Sequence, residues 1–373
     1  MKFFNLLHKR YKNDGIPIIK LKNLQVKTLN RVKKKIETGF YKFEKIACCI
    51  CNKGDFELLS EKERHGFYYP VVICKNCGLI QNNPRLNQES YLDFYENMYR
   101  KFISGKNEAS ENFFEKEYNR GKEIIHFLTE SNVIKKYTKN LFIFEVGCGA
   151  GGILKAFKDQ NFTVQGCDLD KEYLEYGRKN HNLNLHDGTL NQINFEKSPD
   201  IIIYSHVLEH ILNPVEELSQ IYDVLDDNGY LYIEVPGVKN IIKSHEMNFL
   251  HYLHYHHVYH FTLTTLKNLL NLKGFRLIYG NNFIKSVSKK SVLSKSHIII
   301  KNDYNAAINY LKRIEKLRRF LFINKTIKFM TFYIKNYLRN YKNISFKNQI
   351  NILLIGYLKQ IRLFKKIVNK ITK

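Results

Sequence analysis

The 373-residue chain has no run of 18 consecutive apolar residues, so nothing in it reads as a transmembrane helix. Its opening residues, MKFFNLLHKRYK, hold too short an apolar core for a secretory signal peptide. The expected compartment is therefore the cytoplasm. There the seven cysteines read as metal ligands or buried thiols rather than as disulfides. No internal repeat or low-complexity segment is present, and a composition of 44% apolar and 14% aromatic residues is that of globular domains, two or three at this length. Acidic residues are scarce, 35 against 60 Lys and Arg, which gives a net charge of +25. The shortage is local. Residues 1–45 carry 13 basic against 3 acidic residues and residues 301–373 carry 18 against 2, which leaves the middle of the chain at −1. A Lys-rich coding bias would raise Lys throughout and accounts poorly for a neutral middle. Two basic flanks are expected to meet something anionic.

The middle is organised around residues 141–170. Leu141 to Val146 read as a buried parallel strand, Gly147, Gly149, Gly151 and Gly152 as a tight turn, and Ile153 to Phe157 as a helix. A second strand follows and ends in Asp168. This order builds a nucleotide-binding crevice at the carboxyl end of a parallel sheet. The turn glycines let the backbone approach a ligand, the helix start favours a negative group, and Asp168 can accept two ribose hydroxyls. The glycines satisfy both GxGxG and GxGxxG, so they do not select the cofactor.

Upstream lie two CxxC pairs, Cys48/Cys51 and Cys74/Cys77, with a strand-like segment from Phe67 to Ile73 between them. Two such turns complete a tetrahedral sulfur shell for Zn²⁺ and leave no open position for chemistry. His65 is a possible extra ligand by residue type and, more commonly, a surface residue. The expected organisation is a basic arm (1–45), a zinc ribbon (46–84), a helical linker or lid (85–140), a doubly wound α/β domain (141–301) and a basic helical tail (302–373). In the arm, Leu21, Leu24, Val26, Leu29, Val32 and Ile36 fit a short amphipathic helix. In the linker, Tyr91, Phe94, Tyr95 and Tyr99 form a packing face or a substrate lid. After Asp168 come a helix over 171–180, a short strand tipped by Asp187 and an apolar strand over 201–204. A helix follows with Asn213 as N-cap and Pro214 in its first turn, then a turn and strand in DDNGYLYIEVPG and a helix capped by Thr262 or Thr264 and stopped by Gly274. RLIYG and SHIIIKN read as the last strands. In the tail Ala307, Leu311, Ile314, Leu317 and Leu321 share one face, and Ile350, Leu353, Leu354, Tyr357, Leu358 and Ile361 another. Such basic amphipathic helices suit an anionic membrane surface or a protein partner.

The segment EVGCGAGG with Asp168, followed by DIIIYSHVLEHILNP, LDDNGYLYIEVPG and HHVYHFTLTTLKNLLNLKGF, resembles class I S-adenosylmethionine-dependent methyltransferases. The resemblance implies a Rossmann-like methyltransferase domain. In it Glu145, Gly147, Gly149 and Gly151 hold the cofactor, Asp168 takes its ribose diol, Asp187 lies near the adenine amino group, and Ser205 and His206 flank the reactive end. The paired CxxC motifs and the CxxCGLIQNNPR ending resemble the zinc module of bacterial sugar and surface-polysaccharide methyltransferases. The basic tail stands where the better-known sugar C-methyltransferases carry a further α/β domain. The implied acceptor is a nucleotide-linked or lipid-linked sugar, methylated on oxygen or carbon, with the tail on the anionic inner face of the membrane. Nucleic acid is the disfavoured partner. RNA methylation, methylation of a quinone-type small molecule at the membrane, and a non-catalytic cofactor-binding scaffold are the alternatives.

A hydroxyl acceptor needs a base or a metal. His206, Glu209 and His210 end the fourth strand, and HYLHYHHVYHF supplies His251, His254, His256, His257 and His260. The arrangement resembles that of small-RNA 2′-O-methyltransferases and quinone-precursor O-methyltransferases, whose late histidine falls on His257. The resemblance makes His206, His210 and His257 catalytic candidates. His206, Glu209, His210 and His257 form a candidate second metal site that favours a transition metal over Mg²⁺ because of its nitrogens. A purely structural Leu-Glu-His turn is the competing account.

Overall fold

The computed structural model describes residues 6–99, 111–135, 140–291 and 299–320. The chain divides into two compact units, residues 1–240 with 250–308, and residues 241–249 with 309–373.

In the first unit, helix α1 (Asn23–Glu37) buries Gln25, Thr28, Leu29 and Val32. The expected stripe is thus offset, and Val26 is exposed. After β1 (Phe43–Glu44), the hairpin strands β2 (Phe56–Lys62) and β3 (Tyr68–Cys74) pair antiparallel, and β3 pairs in turn with β4 (Ile80–Asn82). Strand β5 (Arg85–Leu86) returns to β1. Helix α2 (Gln88–Phe94) starts where the Asn87 side chain accepts the Ser90 N–H, a capping bond that satisfies an orphan donor of the first turn. It runs on through a π-turn at Tyr95–Tyr99. Helix α3 (Glu111–Glu130) leads to the main sheet.

That sheet contains β6 (Phe142–Val146), β7 (Thr163–Asp168), β8 (Leu185–Asp187), β9 (Ile201–Ser205) and β10 (Tyr230–Glu234), all parallel. Every residue of β6 and β9 is buried, as expected of parallel strands covered by helices on both faces. The helices are α4 (Gly152–Lys158), α5 (Lys171–His181) and α6 (Pro214–Val224). α3 lies against α4 at two glycines, where a Cβ on Gly121 would sit 2.7 Å from the Ala156 Cβ. Asn213 holds the cap position of α6, but its side chain bonds Glu216 and caps nothing.

Strand β11 (Tyr259–His260) leaves this sheet and pairs with β4, which gives a four-stranded sheet in the order β11-β4-β3-β2. Helix α7 (Leu263–Asn271) follows, capped by Thr262, and Gly274 after it takes a left-handed conformation, φ 76°. Strands β12 (Phe275–Gly280) and β13 (Lys285–Lys290) complete the seven-stranded order β12-β13-β10-β9-β6-β7-β8. Here the expectation fails. Among the described residues the last strand is 285–290; of SHIIIKN, residues 299–302 are not strand, and 296–298 lie outside the described residues. β13 is a hairpin return to β10, stabilised by its ladder and by three buried residues among lysines, so no apolar run marks it. Residues 304–320 are helical, with Ala307, Leu311 and Ile314 fully buried. Leu321 and the expected face from Ile350 to Ile361 lie outside the described residues.

In the second unit, Ile242 N–H donates to the Tyr310 hydroxyl and Arg318 pairs with Glu315. Among the described residues no helix is long and apolar enough to cross a membrane.

Candidate active site

The first cluster gathers at the carboxyl ends of β6, β7 and β9. Gly147 and Gly151 have φ of 71° and 77°. A Cβ on Gly147 would come within 2.5 Å of Val207 Cγ2, and one on Gly151 within 2.6 Å of Leu183 Cδ1, so both positions require glycine. The amides of the turn are largely used inside the protein. Gly147 and Cys148 N–H donate to Cys167 O, Gly149 N–H to Asp168 Oδ2, and Gly151 N–H to Cys148 O. The turn therefore acts by shape, and its first amides are not free for an anion. Asp168 Oδ1 accepts the Asp170 N–H at 2.8 Å. A carboxylate oxygen can accept more than one hydrogen bond, and Leu169 beside it is 55% exposed, an apolar surface for a flat ring.

Two buried polar atoms here have no hydrogen-bond partner among the described residues, Glu145 Oε2 and Ser205 Oγ. Buried polar atoms are normally satisfied, so both fit a polar ligand that completes them. Burial pushes the Glu145 carboxyl well above the usual range; Glu117 and Asp168 add to this and Arg120 opposes it. Asp187 is an exposed residue at the tip of β8, 3.0 Å from Lys171 Nζ.

The second cluster follows β9. His206 takes a left-handed φ of 57°, a costly conformation for a side-chain-bearing residue that recurs at functional sites. Its Nδ1 lies 3.4 Å from Glu209 Oε1 and its Nε2 3.8 Å from Glu234 Oε1. Burial opposes its charge, but Glu209 and Glu234 outweigh burial and raise its pKa. His210 is pushed the other way. Burial holds it below the ordinary imidazole value, against the pull of Glu209. Its Nδ1 is 3.0 Å from His256 O. A carbonyl only accepts, so Nδ1 carries the proton and Nε2 keeps its lone pair, 3.8 Å from Glu209 Oε1. The two imidazoles are thus driven in opposite directions, the arrangement in which one can serve as acid and the other as base. A consequence for stability follows. A group with a raised folded pKa stabilises the fold below its unfolded pKa and loses that contribution as pH rises through the folded value. The stability advantage of the wild type over His206→Gln, read from thermal unfolding, is expected to shrink as pH rises above the ordinary imidazole value of about 6.5; a difference independent of pH would remove the ion-pair assignment.

His257 joins His210, with ring centroids 4.9 Å apart. The expected four-residue metal group does not assemble as anticipated. Among the described residues, the ligand atoms that fall within 4.8 Å of one another belong to His210, His256 and His257; His206 is turned to its carboxylates instead. Tyr95 and Tyr99 stack on each other and stand edge-on to His210, and Tyr99 stands edge-on to His256. The tyrosine face is packed against the histidines.

The four sulfurs of Cys48, Cys51, Cys74 and Cys77 lie within 4.8 Å of one another, and the Cys48–Cys77 and Cys51–Cys74 pairs are at 3.4 Å. Backbone amides of Cys51, Lys53, Asn76 and Leu79 face these sulfurs. A thiolate set with amide donors fits a structural zinc ion. His65 is neither a ligand of this group nor a surface residue. It is 2% exposed, with Nδ1 2.7 Å from the buried Glu63 carboxylate.

Sequence reasoning missed two participants, Glu234 and Arg120, and it named His256 and Tyr91 only as members of the histidine segment and the tyrosine face. Glu234 ends a parallel strand, where ligands gather, and that signal was available. Arg120 lies on a helix with no motif; it acts electrostatically on Glu145 and His206. With Glu234, Asn119, Lys285 and Phe283 it lines a cleft of about 680 Å³.

Residues 101–279 match the family model described as a methyltransferase domain. Over this stretch the chain is similar to methyltransferase domains. A ubiquinone biosynthesis O-methyltransferase of Rickettsia typhi is 30% identical over 98 residues, 25% of this chain. The match spans 40% of that relative's length. Among solved structures, the domain is similar to a Burkholderia thailandensis 1,6-didemethyltoxoflavin-N1-methyltransferase, at 14% identity and a TM-score of 0.42 over 60% of this chain and 96% of that one. It is similar also to the magnesium protoporphyrin IX methyltransferase of Synechocystis, at 14% identity and a TM-score of 0.39 over 54% and 98%. The family match begins before the glycine turn and ends inside β12, so it takes in both residue clusters and omits the four cysteines.

Proposed function

We propose that this protein uses its methyltransferase domain to methylate oxygen or carbon of a sugar, nucleotide-linked or lipid-linked, in bacterial surface-polysaccharide synthesis. The observation that carries the reaction is His210, a buried imidazole whose Nδ1 is committed to a carbonyl and whose Nε2 is left as a base. S-adenosylmethionine supplies an electrophilic methyl group. Asp168 takes the ribose hydroxyls, Glu145 and Ser205 complete their hydrogen bonds on the cofactor, and the turn at Gly147, Gly149 and Gly151 admits it. Asp187 faces its adenine edge. His210 accepts the acceptor's proton, His257 supports it, and the His206 imidazolium between Glu209 and Glu234 fixes local charge. Holding the reacting atoms in line supplies much of the acceleration.

The sugar acceptor is supported by the likeness of the ribbon to that of sugar methyltransferases, and by a cleft that combines amides, charges and the half-exposed Phe283 ring. In this reading the ribbon comprises 46–84, the linker 85–140, the catalytic domain 141–301 and the tail 302–373, and the protein works in the cytoplasm against the inner membrane face. The test is mass spectrometry of cellular glycans and nucleotide sugars with and without the protein. One species should lose the mass of a single methylene unit; unchanged glycans with a demethylated RNA or quinone precursor would replace the sugar by that acceptor.

A metal-assisted route has one observation in its favour, the three imidazoles of His210, His256 and His257 within ligand distance of one another. Metal analysis separates the routes. The base reading expects about one zinc per chain, held by the four cysteines; a second equivalent lost in His257→Ala would favour the metal.

A further inference from the structure

The four-cysteine ribbon stands apart from the reaction in the sequence, yet the loop that carries the late histidines is held by it. Strand β11, which begins directly after that loop, is the ribbon sheet's fourth strand, with Tyr259 opposite Gln81 and His260 opposite Ile80. Ahead of it, the carbonyls of the loop are taken one after another by ribbon and linker residues. Arg64 donates to His251 O through its guanidinium at 3.1 Å. Asn82 donates its side-chain N–H to His257 O at 2.7 Å and its backbone N–H to Val258 O at 2.9 Å. The Tyr91 hydroxyl lies 2.7 Å from His210 O and 3.0 Å from His256 O, so one donor bridges the two histidine segments. The His256 carbonyl is the one that fixes His210 Nδ1. Val258 N–H donates to Glu209 O and closes the ring from the other side.

We propose that Asn82 and Tyr91 are positioning residues that set the tautomer of His210, and that the four-cysteine site acts on the reaction through them. The connection is short. The turn between β3 and β4 is the second cysteine knuckle, closed by Cys74 N–H to Leu79 O and Gly78 N–H to Cys74 O. Asn82 ends β4 three residues after Leu79. A metal on the four sulfurs therefore fixes the strand whose last residue grips the histidine loop. Asn82 is fully buried and its Oδ1 has no hydrogen-bond partner among the described residues. The residue is held there at a cost, while its N–H grips the loop. If the loop drifts, the His256 carbonyl leaves Nδ1 and the proton is free to move to Nε2, which abolishes the base. The mechanism rests on the reading of His210 as the base; the clamp itself is measurable without any acceptor.

The test is the ¹⁵N spectrum of the imidazole nitrogens in the full-length, zinc-loaded protein, with His210 assigned by its loss in His210→Gln. The wild type should show one protonated and one unprotonated nitrogen for His210. Asn82→Asp, which removes the donor and keeps the shape, and Tyr91→Phe should each move both signals toward the averaged positions of exchanging tautomers. Stripping the metal with a chelator should do the same. Hydrogen exchange over 254–260 should quicken at least about tenfold in each case while 201–205 stays protected. If Asn82→Asp also exposes 201–205 it has unfolded the domain, and the decision passes to Tyr91→Phe, which removes a single oxygen atom. Wild-type signals for His210 in Tyr91→Phe, or in the chelated protein, would overturn the proposal. That outcome would leave the base reading intact, because turnover of His210→Ala tests it separately.

Discussion

Replacing Asp168 by Ala is expected to weaken binding of S-adenosylhomocysteine at least about 100-fold, measured by titration calorimetry. The carboxylate sits at the carboxyl end of β7 with one backbone N–H on each oxygen, from Gly149 and from Asp170. Those bonds hold the carboxylate at the strand end, where the proposed function has it accept the ribose hydroxyls. Hydrogen bonds to a charged group contribute about 1.5–3 kcal/mol each, so the loss of two corresponds to at least ~3 kcal/mol, or two decades in affinity. Asp168→Asn keeps one acceptor and should fall between wild type and Ala. The Ala variant also frees Gly149 N–H, so its thermal unfolding must be read alongside. Affinity within about threefold of the wild type, which is under ~1 kcal/mol, would place the cofactor elsewhere.

His210→Ala is expected to reduce turnover by about 10²–10⁴-fold, the usual contribution of a positioned proton acceptor, with cofactor affinity unchanged. The acceptor is the one that the glycan comparison identifies. The pH dependence has a definite sign. Burial lowers the His210 pKa, so the neutral base persists below the ordinary imidazole value of about 6.5, and turnover should hold steady from neutral pH upward and fall only on the acid side below it. His206→Gln should behave differently, since Glu209 and Glu234 raise the His206 pKa against burial and His206 is not the proposed base. If His210→Ala retained full turnover, the base would have to be sought at His257 or on the substrate, and the carbonyl that orients His210 Nδ1 would be a packing contact only.

The parts of the fold that were legible in the sequence share a local cause. The runs 142–146 and 201–205 are buried throughout and, apart from Glu145 and Ser205, built mainly of apolar and aromatic residues, because their strands are covered on both faces. Gly147 and Gly151 are glycines because a Cβ would strike Val207 and Leu183 at positive φ. The cysteine pairs are spaced for two tight turns, and the four sulfurs meet. Where the cause was not local, expectation and structure parted. Strand 285–290 is mostly polar and basic, and it exists because β10 and β12 offer it ladders on both edges; SHIIIKN looked more strand-like and the described part of it forms none. His65 looked like a surface residue and is buried, because the turn at 63–67 folds the Glu63 carboxylate onto its own amides and ring.

The active site divides along the same line. By itself the sequence determined the cofactor crevice, a strand, turn and acid within 30 residues, since each of those features is a property of neighbouring residues. It also placed Glu209 and His210 after the fourth strand. Tertiary structure alone decided what those residues do. It separated His206 from His210 by giving one two carboxylates and the other a carbonyl. It brought His256, not His206, to His210, and it did so through a strand pairing between residues 80–81 and 259–260. A single histidine or tyrosine has no periodicity and no required spacing, so its role depends on which distant backbone it meets. Here that partner is the cysteine ribbon, nearly 180 residues earlier in the chain.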